Sequence, residues 1–252
     1  MRLLVGVWRL ARALLHMLHG VLVVLLRFPS LDRAARRERV RWWAAKMLRV
    51  LGIRLVVQGQ FKAGAKMLVA NHISWLDIMV VHAVCPEARF VSKAEVRHWP
   101  LVGRLVDAAD TLYIERQRKR DAMRVVHDSA AALRQGDTVA VFPEGTTGTG
   151  HDVMPFHANL LQAAIAAEAA VQPLALRYAD RQQAVSPQAM WVGDTTLAAS
   201  LWQFAAADGL VAHLHVLTAR GSRHADRRAL AETLRIDITA ALADIDRLHP
   251  TA

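Results

Sequence analysis

Cysteine is nearly absent from this chain of 252 residues: Cys85 stands alone, so no internal disulfide forms and a reducing compartment fits best. Its apolar flanks make it core material. No Gly-x-Ser-x-Gly turn is present, which removes the nucleophile of most lipid and thioester hydrolases. The one glycine-rich loop, at 145–150, is followed by His151-Asp152 where a phosphate-binding loop would carry lysine and Ser/Thr. No reader motif for nucleic acid accompanies the basic charge, so nucleic acid is not an expected partner. No small-residue cleavage site follows the apolar N-terminal run, and a removed signal peptide is not expected. Acidic residues are scarce at the N-terminus, where residues 1–50 hold Asp32 and Glu38 alone.

Against those two acids stand eleven Lys and Arg, nearly the whole of the formal charge of +10. The same fifty residues are strongly apolar. Their longest stretch without a charge is Ala13–Leu26, shorter than the ~20 residues a spanning helix needs. Arg9 and Arg12 lie upstream and can snorkel. Over Leu31–Leu51, Arg33, Arg36, Arg37 and Arg41 recur at helical spacing, while Trp43, Met47, Val50 and Leu51 suit the opposite side. A basic helix carrying tryptophan favours an anionic bilayer surface; a solvated arginine face over a core helix is the alternative. The adjacent apolar run favours the membrane. Residues 1–51 are therefore read as an N-terminal helical membrane-association module. A hydrophobic share of 54% and a mean hydropathy of +0.18 exclude a disordered chain.

From residue 52 short apolar runs alternate with helical patterns. Strands are expected at Arg54–Gln58, Met67–Ala70, Phe90–Ser92, Thr111–Glu115, Thr138–Phe142, Val171–Arg177 and Val211–Leu217. Helices are expected near Trp75–Val84, Glu95–Asp107, Arg118–Arg134, Phe156–Glu168, Leu197–Ala206 and His224–Leu248. This order predicts an α/β domain over 52–252, with a mixed, largely parallel central sheet flanked by helices.

Residues 68–81 read LVANHISWLDIMVV. Asn71-His72 emerge at the C-terminal end of an expected buried strand, where open α/β sheets bind ligands. Ser74 and Asp77 fit a capping box, so Asp77 can serve simply to satisfy a helix start. If His72 lies in the turn before that helix, Asp77 in its first turn can also reach the imidazole. There it would fix the tautomer and stabilise the cation formed on taking a proton. Both roles are open to one carboxylate.

A second stretch, TVAVFPEGTTGTG at Thr138–Gly150, ends a strand in Phe142-Pro143 and opens a loop at Glu144. Together, NHISWLDI and FPEGT in this order resemble the glycerolipid acyltransferase family, in the branch of the 1-acylglycerol-3-phosphate acyltransferases. Tyr113-Ile114-Glu115-Arg116 lies between them, and Val171-Gln172-Pro173-Leu174 follows, like the family's apolar-proline motif. The resemblance covers roughly Leu51 to Arg177, with weaker likeness in WVGDTTLAASL.

The resemblance implies that His72 is the general base for an acceptor hydroxyl and Asp77 its orienting partner. It implies that Glu144, Gly145 and Thr146 shape the acceptor site and that Arg116 pairs with an anionic headgroup. The reaction is then direct acyl transfer from a co-substrate thioester, acyl-CoA or acyl-carrier protein, to the free hydroxyl of a lysolipid such as 1-acylglycerol-3-phosphate, or alternatively lyso-ornithine lipid, with no metal, no cofactor and no acyl-enzyme. The expected place is a bacterial-type inner membrane, with the catalytic domain on its cytoplasmic face. A base with an ordinary pKa near 6.5 suits an alcohol nucleophile, and backbone N–H groups near the helix start are the expected oxyanion donors.

Three positions depart from the family pattern. Asp110-Thr111 stand where a glycine often precedes the middle arginine, and His157-Ala158 replace a lysine–glycine pair. Thr147 stands where phosphate-acceptor enzymes read FPEGTR. Threonine offers one hydroxyl in place of a bidentate guanidinium, as in acyltransferases acting on lyso-ornithine lipid. A non-catalytic lipid-binding membrane protein is the competing class. His82, His213 and His215 read as core residues, without the partners of a metal site.

Overall fold

The computed structural model describes residues 2–114 and 119–247. Seven strands form the sheet: β1 (Arg54–Gly59), β2 (Lys66–Ala70), β3 (Ala88–Lys93), β4 (Leu112–Ile114), β5 (Thr138–Val141), β6 (Ala170–Ala179) and β7 (Val211–Val216). Their spatial order is β1-β7-β6-β2-β5-β3-β4. Every neighbouring pair is parallel except β6 and β7. The sheet is mixed and largely parallel, as the alternation of the sequence predicts.

Eight α-helices accompany it among the described residues: α1 (Arg2–Leu26), α2 (Arg33–Val50), α3 (Leu76–His82), α4 (Val102–Ala108), α5 (Lys119–Arg134), α6 (Leu161–Ala166), α7 (Leu197–Ala206) and α8 (Arg227–Arg247). Successive side chains of a strand face opposite ways. In β2, Leu68 and Ala70 join Met47 and Leu48 of α2, Leu76 and Val80 of α3 and Phe204 of α7 in one layer. Met67 and Val69 join Leu133 of α5, Leu161 of α6 and Leu234 and Ile238 of α8 in the other. Both faces are covered, so β2 is buried along its whole length and reads as a continuous apolar run.

Several expected helices come out shorter. The one over Glu95–Asp107 is broken into a 3-10 turn at Ala94–His98 and α4. Pro100 has no N–H to continue a helix, and Leu101 takes φ 64. Phe156–Glu168 similarly resolves into a 3-10 turn at Ala158–Leu160 followed by α6. The last helix starts at Arg227, three residues later than expected, because Asp226 Oδ1 accepts the N–H groups of Arg228 and Ala229. The ends expected at Glu115, Arg118 and Leu248 lie outside the described residues.

α1 packs along α7, α4 and α2 through small residues. A Cβ at Gly6 would meet the Trp202 ring at 3.2 Å, and one at Gly20 would lie 2.4 Å from Trp43 Nε1. Glycine allows that approach. His16 and Trp43 then exchange hydrogen bonds, each ring nitrogen reaching the other's carbonyl at 3.0 and 3.1 Å. The other side of α1 exposes Leu4, Trp8, Leu15, Leu22 and Leu26. By length and composition this helix can cross a membrane. In α2 the residues opposite the arginines, Met47 and Val50, are buried. Arg33 and Arg37 turn to Asp137, while Arg36 donates to the Phe28 carbonyl.

Candidate active site

Strands β2, β5, β3 and β4 run parallel, so their C-terminal ends share one edge of the sheet. His72 follows β2 and Glu144 follows β5 on that edge. Arg116 follows β4 but lies outside the described residues. The two motifs therefore meet through topology despite their distance in sequence.

His72 sits in the turn before α3, which begins at Leu76. Its Nδ1 lies 2.8 Å from Asp77 Oδ2. The same oxygen accepts the N–H groups of Ile73 at 2.7 Å and Ser74 at 3.0 Å, and Oδ1 accepts the Tyr178 hydroxyl at 2.7 Å. An ionised carboxylate only accepts. Nδ1 must then carry its proton, and Nε2 is the nitrogen left to take another. Asp77 is fully buried, whereas the His72 side chain keeps 18% of its surface exposed. The Phe142 ring stacks on the imidazole at 3.9 Å between centroids, with 10° between planes. Tautomer, plane and tilt of His72 are all fixed.

Asp77 thus makes the contacts expected of both a helix start and an imidazole partner. Its carboxylate closes the helix start by accepting from Ser74 and also holds the imidazole. The reciprocal half of a capping box is altered: Ser74 Oγ accepts from Leu76 at 3.3 Å, and Asp77 N–H goes to the Ser74 carbonyl. A further consequence runs against the expected oxyanion donors. The N–H groups of Ile73, Ser74 and Leu76 are already committed inside the turn, so this part of the helix start offers none to a substrate.

Glu144 is buried and binds the protein's own backbone. Oε1 accepts the His72 N–H at 2.6 Å and Oε2 the Met154 N–H at 3.0 Å. Burial pushes its carboxyl up to about 7, against those two donors, and the Asp77 charge adds to the rise. Gly148 N–H donates to the His72 carbonyl at 2.8 Å. One carboxylate therefore staples the FPEGT loop to the NHISWLD turn. Gly145 takes φ 75, which suits glycine in this tight turn, and Thr146 is exposed beside it.

Thr147 Oγ1 donates to the Trp191 carbonyl, and Trp191 N–H donates to the Ile73 carbonyl at 3.2 Å. The hydroxyl that replaces the family's arginine is therefore turned inward, joining WVGDTT to both motifs. Trp191, Trp99, Pro100, Val102 and Leu197 line an apolar cleft of about 380 Å³ beside this junction.

Three supporting residues escaped sequence reasoning. Tyr178 holds Asp77 from β6, Phe142 holds the His72 ring, and the Asn71 amide exchanges two hydrogen bonds with the Leu176 backbone at 2.8 and 2.9 Å. Asn71 thereby continues the β2–β6 ladder for one residue past Ala70. Tyr178 lies one residue past the strand expected at Val171–Arg177, and nothing local marks its partner as Asp77. His82 is core as read: burial pulls it down to about 4, and its Nε2 faces the Ala88 carbonyl at 3.0 Å. Among the described residues no group of three or more His, Cys, Asp or Glu is arranged to hold a metal ion.

Residues 53–177 match the family model described as Acyltransferase. The chain is 36% identical over 217 residues to a lyso-ornithine lipid O-acyltransferase of Pseudomonas aeruginosa, covering 86% of this chain and 83% of that one. It is 34% identical over 179 residues to a 1-acyl-sn-glycerol-3-phosphate acyltransferase of Neisseria meningitidis serogroup B, covering 71% and 69%. The crystal structure of the 1-acyl-sn-glycerophosphate acyltransferase PlsC from Thermotoga maritima has the same fold. It superposes with a TM-score of 0.66 at 19% identity, over 94% of this chain and 97% of that one.

Proposed function

The chain belongs to the acyltransferase family, and from that premise we propose that it moves a fatty acyl group from acyl-CoA or acyl-carrier protein to the free hydroxyl of a lysolipid at a membrane. His72 is the general base and Asp77 its orienting partner. The observation that carries this reading is the buried Asp77 carboxylate, which fixes the proton on Nδ1 and leaves Nε2 bare.

In the reaction, Nε2 takes the proton of the acceptor hydroxyl as its oxygen attacks the thioester carbonyl. Asp77 stabilises the imidazolium that results. Collapse of the tetrahedral intermediate breaks the carbon–sulfur bond, and the departing thiolate takes the proton back. The products are an ester and a free thiol, with His72 restored. Glu144, Gly145 and Thr146 form the loop against which the acceptor lies, and Glu144 acts by holding the His72 backbone in place.

A lyso-ornithine lipid fits this site better than 1-acylglycerol-3-phosphate. At position 147 the site has a hydroxyl committed to Trp191 and no guanidinium for a phosphate. The phosphate acceptor is the second reading, and it rests on Arg116. Residues 1–51 serve as the membrane-association module: the exposed leucines of α1 enter the bilayer and α2 faces its anionic surface. We place the catalytic domain at the cytoplasmic face of a bacterial-type inner membrane.

The test is a side-by-side assay of the purified chain with acyl-CoA or acyl-carrier protein against lyso-ornithine lipid and 1-acylglycerol-3-phosphate. Transfer to the first, lost in His72→Ala, is expected. A His72→Ala protein as active as the parent would sink the mechanism, and transfer to the phosphate acceptor alone would reverse the substrate order.

A further inference from the structure

We infer that the ion pair of the buried Arg177 with the partly exposed Asp246 positions the acceptor loop from the far side of the sheet, which makes the last turn of α8 part of the substrate-binding apparatus. The inference rests on the acyl-transfer reading and adds to it two positioning residues outside both motifs.

Arg177 stands on β6, and only 2% of its side chain is exposed. Its neighbours Leu176 and Tyr178 face the layer that contains α3, so Arg177 faces α8 on the other side. Its guanidinium forks. Nη1 donates to the Gly150 carbonyl, and Nη2 to Asp246 Oδ2 at 2.7 Å. Asp152, two residues beyond Gly150 on the same loop, also attracts this cation. Gly150 in turn takes φ 85, and a Cβ there would lie 3.1 Å from Ile73 Cδ1. The loop is thus pinned at Gly148 to the His72 carbonyl, at Met154 to Glu144, and at Gly150 to Arg177. The first two anchors belong to the motifs themselves. The third ties the loop to β6 and α8.

Stability does not account for an arginine here. Burying a guanidinium carries a desolvation cost that one carboxylate offsets only in part, and apolar pairs of similar volume are often as stable or more so. α8 already docks through Leu230, Leu234, Ile238, Leu242 and Ile245. What an apolar pair would forgo is a donor for the Gly150 carbonyl. The planar fork holds its two donors at a fixed spacing toward loop and helix, whereas the three donors of an ammonium radiate from one nitrogen on a flexible stem.

The double variant Arg177→Met/Asp246→Leu separates the two explanations. Its melting temperature, its KM for lysolipid and for acyl donor, and hydrogen exchange over residues 145–156 are compared with the parent. The expected result is a melting temperature near the parent's, faster exchange in the loop, and an acceptor KM raised about tenfold, below the ~10²-fold loss a 1 Å misplacement can cause. Donor KM should move less than twofold. A double variant with parental acceptor KM and parental exchange would show that the pair is packing and overturn the inference. If the double variant fails to fold, Arg177→Lys takes its place. It keeps the charge without the fork, and the same two readouts decide. A parent inactive on every lysolipid would sink the acyl-transfer reading instead, and loop exchange in the Arg177 variants would still decide the positioning role.

Discussion

Two carboxylates, Asp77 and Asp137, are both buried at opposite ends of the parallel strands, and they are held in different ways. Asp137 precedes β5 and meets arginines: Arg33 at 2.5 Å, Arg89 at 2.9 Å and Arg37 at 3.6 Å. Among the described residues Asp77 meets no lysine or arginine. Its donors are two backbone N–H groups, a tyrosine hydroxyl and the His72 ring. The charge of Asp137 is thus shared among guanidiniums that stay positive. Asp77 sits among neutral donors, and of its described partners the imidazole is the one that can become positive. A buried acid therefore reads as structural or as working according to whether its partners can change charge.

Asp77→Asn probes that distinction most strongly. The amide oxygen can still accept from Ile73, Ser74 and Nδ1, so the turn persists while the negative charge goes. Loss of imidazolium stabilisation should lower kcat by 10²–10⁴-fold, with the melting temperature little changed. Full activity in this variant would reduce Asp77 to a helix cap.

Glu144 lies between the two cases, with neither a cation nor an imidazole ring among its described partners, and its burial makes that visible in pH. Its carboxyl is raised from the ordinary 4.5 to about 7 in the folded chain. Between those values the folded state holds a proton that the unfolded chain has released, so stability falls as pH rises from 4.5 to 7 and then levels. The size is about 3 kcal/mol from 1.36 kcal/mol per unit. Urea titrations at pH 5 and pH 8 should show this fall in the parent and a smaller one in Glu144→Gln. Identical pH dependence in both would mean that Glu144 is not held as a buried acid.

Asp137→Ala is the contrasting test at the other edge. Arg33 keeps 53% of its side-chain surface and Arg37 35%, so both can turn to water once the acid is gone. The cost then falls below the 3–5 kcal/mol of a fully buried pair, to about 2 kcal/mol. The activity of the folded protein should be unchanged, measured as kcat/KM below the melting transition. A loss of kcat here would erase the contrast with Asp77.

How much of this the sequence foretells depends on the range of each interaction. β2, β5 and β6 are legible because they are buried on both faces and read as apolar runs. His72 and Asp77 are legible because their bond spans five residues. The break at Pro100 is local too, since proline has no N–H to continue a helix. Tyr178, in contrast, lies 101 residues from Asp77, and Thr147 lies 44 from Trp191. Such pairs are set by strand order and by where a loop returns, which no local pattern encodes. For the same reason Thr147 is visible in sequence as a missing arginine, while its inward hydrogen bond is not.

Tyr178→Phe is the gentlest change and the finest test of the comparison. It removes one donor from Asp77 Oδ1 and leaves the ring packed against Phe204. A buried acceptor left unpaired costs about 1–3 kcal/mol, so the melting temperature should drop modestly. If Asp77 works through charge and orientation together, kcat should also fall, by about tenfold, less than the effect expected of a direct acid–base group. KM for both substrates should stay put, because Tyr178 reaches the reaction only through Asp77 and His72. A drop in melting temperature at constant kcat would place Tyr178 with Arg33 and Arg89, as a partner that merely stabilises a buried charge.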